Sequence, residues 1–366
     1  MKILHIISGL GMGGAENTLY NLVKNDLVNK HIVISLSKPL FFEKKFRKIN
    51  VKVINFNFEN SFLKNFFKIV IFIKKNDPSL IQTWMYHAEF VSIFLKIFIS
   101  PKILWNIRNS TPYSKSFKLR TRILILFNAF FSYFVPFKII SCSNEATKNH
   151  VSIGYCEKFF VYIPNGVDLK KFTFSLRKNS SKKYIIGCVA RWTAQKDHKN
   201  LIKALNLLLK KGNKNWQCYF AGKGLDKKND ELKKLIKHYS LQHHIKLFGA
   251  VGEIHKFYKK INFLVLPSKD GEGFPNVILE SYASGIPCIA TNIGDVKQVL
   301  INKKYLIKPK DYKVLFKAIL KIFDDKYILS KKNKLNLRKF VTKKYSVQKM
   351  LNSYTFIWKK AQVEKI

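Results

Sequence analysis

Short apolar runs bounded by turn-forming residues alternate with longer stretches of helical character from the first residue onward. In the first half the candidate strands are residues 3–8, 31–37, 51–56, 80–84, 103–107 and 138–142, with helices filling the gaps. A second series begins at residues 184–190 and continues through 217–221, 245–248, 263–267 and 287–291. Strands and helices in strict alternation are the signature of βα units around a parallel sheet, so two α/β halves are expected. The turn Pro164-Asn165-Gly166-Val167-Asp168 and the polar, basic stretch 175–183 place the linker between them. Residues 345–360 read as a helix able to cross back to the first half. No internal sequence repeat is visible, so any likeness between the halves is architectural.

At 366 residues the chain is long enough for two cores, and 47% hydrophobic with 24% charged residues is a globular balance. A net charge of +45 would ordinarily point to nucleic acid or an anionic membrane. Only seven of the 67 basic residues are Arg, however, and Lys, Asn, Ile and Phe all abound, a bias that an AT-rich coding sequence produces by itself. Nucleic acid is therefore not an expected partner. Acidic lipid head groups and phosphorylated ligands fit, because charge of this size attracts anions within a Debye length whatever its origin. The five cysteines form no CxxC pair and no metal-ligand spacing and read as reduced thiols. Met1 leads straight into a strand, without the regions of a signal peptide, so a cytoplasmic protein is expected. The apolar stretch 123–135 is too short to span a bilayer and is expected to be a buried helix. Segments 62–75 and 90–98 mix Phe and Ile with Lys, which suits a helix on the inner membrane surface as well as one packed on a sheet.

Three loops carry candidate chemistry. The first, Gly9-Leu10-Gly11-Met12-Gly13-Gly14-Ala15-Glu16, follows a strand and opens a helix, so its amides and the helix dipole can face an anion. Gly9, Gly11 and Gly14 satisfy GxGxxG and raise an NAD(P)-dependent oxidoreductase as an alternative. That fingerprint also wants an acid near the end of the second strand, where this chain has Ser35-Leu36-Ser37-Lys38. The second loop, after the first strand of the second half, holds Arg191 and Lys196, two cations able to clamp a diphosphate and stabilise its departure. The third holds Glu272 in a glycine-rich loop and Glu280 in the helix that follows, acceptors suited to sugar and ribose hydroxyls. No Asp-x-Asp motif stands at a strand end, so neither a metal nor a cofactor is expected.

Taken together, Gly13-Gly14-Ala15-Glu16, Gln82-Thr83-Trp84-Met85-Tyr86-His87-Ala88, Ile163 to Asp168, Arg191 with Lys196, and Glu272 to Glu280 resemble glycosyltransferase family 4. The run Trp105-Asn106-Ile107-Arg108-Asn109-Ser110 is similar to a subgroup found in bacterial capsule, exopolysaccharide and lipopolysaccharide gene sets. The chain departs from the family at Gln298, where many members carry an acid. The resemblance implies a GT-B type fold of two Rossmann-like domains facing across a cleft. An acceptor-side domain would span 1–170, a nucleotide-sugar domain 171–343, and a helix over 344–366 would return to the first. It implies that Arg191 and Lys196 hold the donor diphosphate with amides of Gly13 and Gly14, and that Glu280 binds the ribose. Glu272 would contact the transferred sugar, with amides of Phe274, Asn276 and Val277 nearby, and His87 would stand beside the reacting sugar. Transfer of a hexose or N-acetylhexosamine with retention is implied, from a nucleotide-sugar donor, UDP preferred, to a glycan or lipid-linked acceptor. An inactive nucleotide-sugar or lipid-binding relative is the remaining alternative.

Overall fold

The computed structural model describes residues 1–39, 41–113, 117–174 and 183–364. It divides into two compact units, Met1–Gly166 with Val347–Ile366, and Val167–Ser346. Of the expected linker 175–183, residues 175–182 lie outside the described residues. The helix expected over 345–360 is Val347–Val363, which belongs to the first unit, and the helix before it, Lys331–Tyr345, ends the second. Ser346 separates them in an extended conformation, φ −71° and ψ 152°, which breaks the helical ladder.

The first unit is a seven-stranded parallel sheet. Its strands are β1 (Lys2–Ile7), β2 (Lys30–Ser35), β3 (Lys52–Asn55), β4 (Leu80–Trp84), β5 (Lys102–Ile107), β6 (Pro136–Ser141) and β7 (Phe160–Tyr162), in the order β3-β2-β1-β4-β5-β6-β7. The second unit has six parallel strands. They are β8 (Tyr184–Val189), β9 (Trp216–Ala221), β10 (Ile245–Leu247), β11 (Phe263–Leu266), β12 (Cys288–Thr291) and β13 (Leu306–Ile307), in the order β10-β9-β8-β11-β12-β13. Edge strands β7 and β13 are three and two residues long, too short to leave a pattern in sequence.

Helices cover both faces of the first sheet, which is why its inner strands are buried almost throughout. On one face, helices Phe62–Asn76, Tyr86–Phe98 and Leu119–Phe131 bury Phe66, Ile69, Val91, Leu95, Ile125 and Ala129 against Leu4, Ile6, Ile81 and Trp105. On the other, Leu19 and Leu22 join Met350, Tyr354 and Trp358 of the returning helix over Ile3, Ile7 and Trp84. The apolar stretch 123–135 is not the buried helix expected: its helix runs Leu119–Phe131 and buries only Ile125, Asn128 and Ala129. One stripe suffices to pack on a sheet, with Leu124 and Phe131 partly buried beside it, and Ile123, Leu126, Phe127 and Phe130 are left exposed.

Two sequence motifs are explained by the returning helix. Trp358 Nε1 donates to Gln82 Oε1 at 2.8 Å, and Asn106 Nδ2 donates to Tyr354 Oη at 3.1 Å. The Arg108 guanidinium lies 4.9 Å over the Trp84 ring and donates to Tyr354 Oη at 2.5 Å and to Asn165 Oδ1 at 2.6 Å. The 82–84 and 105–110 runs thus hold the helix and the Pro164-Asn165-Gly166 turn to the sheet.

Candidate active site

In each sheet the direction of strand progression reverses once, between β1 and β4 in the first and between β8 and β11 in the second. Loops leaving the carboxyl ends of such a pair diverge, and the crevice they leave is where open α/β sheets bind ligands. The candidate loops of each unit stand at that point.

In the first unit, the end of β1 is tied to β4 by the Ser8 amide on the Trp84 carbonyl at 3.4 Å. The glycine loop then enters helix Gly14–Asn25 with Gly13 at its N-cap, and the first-turn amides of a helix have no acceptor within it. A Cβ at Gly13 would lie 2.4 Å from the Glu16 carboxylate, so only glycine fits beside that side chain as it stands. Beyond β4, Met85 takes φ +75°, a left-handed conformation costly for any residue but glycine, and the helix Tyr86–Phe98 starts at once. His87 is its second residue and is exposed. Desolvation by the surrounding protein lowers its pKa and favours the neutral imidazole.

Beneath this turn lies a buried polar group that sequence reasoning missed. Glu89 is fully buried in the apolar run Tyr86 to Phe98, and desolvation pushes its pKa up to about 8 against the hydrogen bonds of Asn128 and Tyr155. Asn128 Nδ2 donates to Glu89 Oε2 at 3.3 Å and to the Tyr86 carbonyl at 2.9 Å, so one side chain links the acid to the backbone next to His87. His150 lies 2.6 Å by Nδ1 from the Ala146 carbonyl and 2.8 Å by Nε2 from Tyr86 Oη, and burial holds its pKa at about 4. Folded Glu89 keeps a proton that the unfolded chain releases above its ordinary pKa. Stability is therefore lost as pH rises toward about 8, at about 1.4 kcal/mol per pH unit between those values. Glu89→Gln removes this slope, so the difference in urea stability between variant and wild type is expected to shift toward the variant from pH 6 to pH 8. A difference that does not change with pH would show that Glu89 is not the proton carrier.

In the second unit, β8 is followed by the loop that holds Arg191 and by the short turn Ala194–Lys196. Asp197, at φ +44°, then caps helix His198–Lys210 by accepting from the Asn200 amide at 3.3 Å. This loop and the one after β11 are joined by the Lys269 amide on the Gln195 carbonyl at 2.8 Å. The result brings Lys196 Nζ to 2.5 Å from Glu272 Oε1, an oxygen that also accepts from Ser268 Oγ at 2.6 Å. Ser268 is held in turn by Thr291 Oγ1 on its carbonyl at 2.5 Å. Glu272 is buried, not the surface acid that a loop position suggests. Arg191 is not drawn into this cluster: it is exposed, and its side chain makes no hydrogen bond or ion pair among the described residues.

Glu280 has a separate environment in helix Asn276–Ala283, where it accepts from Tyr258 Oη at 2.9 Å. Desolvation raises its pKa to about 7, although the Tyr258 bond and the Lys171 charge act the other way. The two acids therefore do not form a pair. Of the three amides expected beside the donor, that of Asn276 donates to the Phe274 carbonyl at 3.0 Å, because Pro275 turns the chain tightly at the helix start. The Phe274 ring is buried against Tyr345 at 5.6 Å. Gly294 was also missed from sequence: it follows β12 with φ +52°, and a Cβ there would lie 1.7 Å from the Glu272 carbonyl oxygen.

Residues 170–340, which cover this cluster, match the family model described as glycosyl transferases group 1. The chain carries a glycosyltransferase domain of group 1. Over 319 residues, 80% of this transferase and 79% of the relative, it is 24% identical to a Bacillus subtilis protein named as a glycosyltransferase, EpsF. It is 29% identical over 178 residues to the Escherichia coli UDP-Gal:alpha-D-GlcNAc-diphosphoundecaprenol alpha-1,3-galactosyltransferase, spanning 45% of this chain and 46% of that one. Among solved structures, Anabaena HepE in complex with UDP matches with a TM-score of 0.86 at 17% identity, over 98% of this chain and 100% of that one. The fold of the transferase is the GT-B type with two Rossmann-like units. The oxidoreductase alternative falls with this match, in keeping with β2 ending in Ser35 where a dinucleotide site places an acid.

Proposed function

We propose that the transferase moves a hexose or N-acetylhexosamine from a UDP-sugar to a glycan or lipid-linked acceptor in cell-surface polysaccharide assembly, with retention at the anomeric carbon. The observation that carries this reading is the Lys196–Glu272–Ser268 cluster at the switch point of the glycosyltransferase domain, in the loop that also presents Arg191. UDP in the HepE structure and the UDP-galactose donor and diphosphoundecaprenol acceptor in the name of the Escherichia coli relative support the donor and acceptor classes.

In this reading the second unit holds the donor and the first the acceptor. Arg191 and Lys196 neutralise the diphosphate, with the Gly13 and Gly14 amides, and Glu280 accepts from the ribose hydroxyls. Glu272 accepts from hydroxyls of the sugar, and amides of Phe274 and Val277 lie at the same loop and helix start. His87 stands beside the reacting sugar. The bond from the anomeric carbon to the diphosphate breaks as the acceptor oxygen attacks from the same face, and the acceptor proton passes to the leaving diphosphate. Fixed protein cations take the part that a metal plays elsewhere, with no cofactor, at the cytoplasmic face of the cell membrane.

Calorimetric titration with UDP tests the assignment. Glu280→Ala is expected to weaken UDP binding about tenfold, as lost hydrogen bonds to two hydroxyls would. Glu272→Ala is expected to leave UDP affinity within about threefold of wild type and to reduce turnover instead, because its partner is the sugar. UDP affinity unchanged in Glu280→Ala would remove that residue from the site, and no UDP binding by the wild type would overturn the donor class.

A further inference from the structure

The three helices on one face of the first sheet carry an unusual outer surface. A continuous series of ring contacts runs across them: Phe98 to Phe67 at 6.2 Å, Phe67 to Phe66 at 5.5 Å, Phe66 to Phe62 at 6.3 Å and Phe62 to Phe90 at 6.4 Å. It goes on from Phe90 to Phe127 at 5.4 Å, Phe127 to Phe131 at 4.7 Å, Phe131 to Phe130 at 5.2 Å and Phe130 to Phe134 at 5.8 Å. Much of this belt is open to solvent, Phe130 at 63% and Phe134 at 70%, with Leu63, Ile71, Ile97 and Leu126 beside it at 57–76%. Phe66, the link between Phe67 and Phe62, is buried beneath the belt, and the exposed rings on either side of it are joined through it rather than scattered as single apolar residues, which by themselves would need no explanation.

The charge on the same helices is of one sign. Lys64, Lys68, Lys74, Lys75, Lys96, Arg120 and Arg122 are their lysines and arginines, and their one acid, Glu89, is fully buried. No helix among the described residues is long and apolar enough to cross a membrane. An apolar belt among cations, with no exposed acid on the three helices and Glu59 and Asp77 only at the two ends of the first, suits the boundary between acyl chains and anionic head groups. It suits a second copy of a chain of net charge +45 poorly, since two such faces repel.

We infer that this face, built from helices Phe62–Asn76, Tyr86–Phe98 and Leu119–Phe131 with Phe134, is a docking surface for an anionic lipid bilayer. It rests on neither the donor nor the site residues, and it goes beyond the transfer reaction by stating which side of the first unit lies on the membrane. The Phe rings enter the head-group boundary while the Lys and Arg side chains reach the phosphates around them.

Flotation of the full chain with phosphatidylcholine vesicles, with and without about one third phosphatidylglycerol, tests it. The wild type is expected to float with the anionic vesicles, and less so as salt is raised. Phe130→Glu with Phe134→Glu is expected to lower the bound fraction at least about tenfold. Both side chains are exposed, so UDP affinity measured on the same preparation should not change, which separates failure of docking from failure of the donor site. Absence of wild-type binding, or equal binding by the double variant, would overturn the proposal. So would a wild-type dimer in sedimentation that the double variant abolishes, since the face would then be covered by a second copy.

Discussion

Lys196→Ala is expected to reduce turnover about 10²- to 10³-fold, the effect of removing one fixed donor from a site where charge develops. In the structure this ammonium is paired with Glu272 in a largely enclosed position, 20% and 8% exposed. The bound diphosphate would draw the ammonium from that pair or share it, and the charge on the leaving group would grow as the glycosidic bond breaks. An alanine offers no charge there and also leaves Glu272 with Ser268 as its remaining partner, so some loss of stability accompanies the loss of rate. Thermal unfolding of the variant separates the two, because a folded but slow enzyme is the expected product. The same experiment with exhaustive chelation distinguishes fixed cations from a metal: wild-type activity should survive chelator while Lys196→Ala stays slow. Activity abolished by chelation and restored by Mn²⁺ would transfer the neutralising role to the metal.

Which parts of this were legible in the sequence follows from the range over which each signal acts. Strand β4 and its neighbours show as apolar runs because both sheet faces are covered, and parallel pairing needs no further code. The loops holding Arg191, Lys196 and Glu272 show because each follows such a run directly. Exposure of Phe130 and Phe134 does not show, since an apolar helix reads the same whether one stripe or all of it is covered. Glu89 is invisible for another reason. One acid in an apolar run is consistent with an exposed face, and its partners Asn128 and Tyr155 are far along the chain. The ion pair between Lys196 and Glu272, 76 residues apart, likewise depends on β8 and β11 lying side by side, a fact of topology rather than of local pattern. Gly294 is the same kind of omission: what matters is the backbone it touches, not the residues next to it.

Gly294→Ala is for that reason expected to damage the site more than the fold. A methyl group there would sit 1.7 Å from the carbonyl oxygen of Glu272 and 3.2 Å from that of Gly273, and both neighbours are backbone, so no side-chain rotation relieves the contact. The φ of +52° adds strain for any residue with a Cβ. The loop must therefore move, and with it the Asp295 amide that donates to the Gly273 carbonyl at 3.2 Å. A shift near 1 Å of a positioning group costs about 10²-fold in rate, and Glu272 would carry Lys196 along through their ion pair. Gly212 supplies the control, because it has φ +80° but nothing within 4 Å of its Cβ position. Gly212→Ala should thus lose about 1 kcal/mol of stability through backbone strain and keep its turnover. If the two alanine variants turn over alike, the Gly294 contact does not set the position of Glu272 in the reaction; a rate lost in Gly294→Ala alone, with UDP affinity largely kept, places that loop at the transferred sugar.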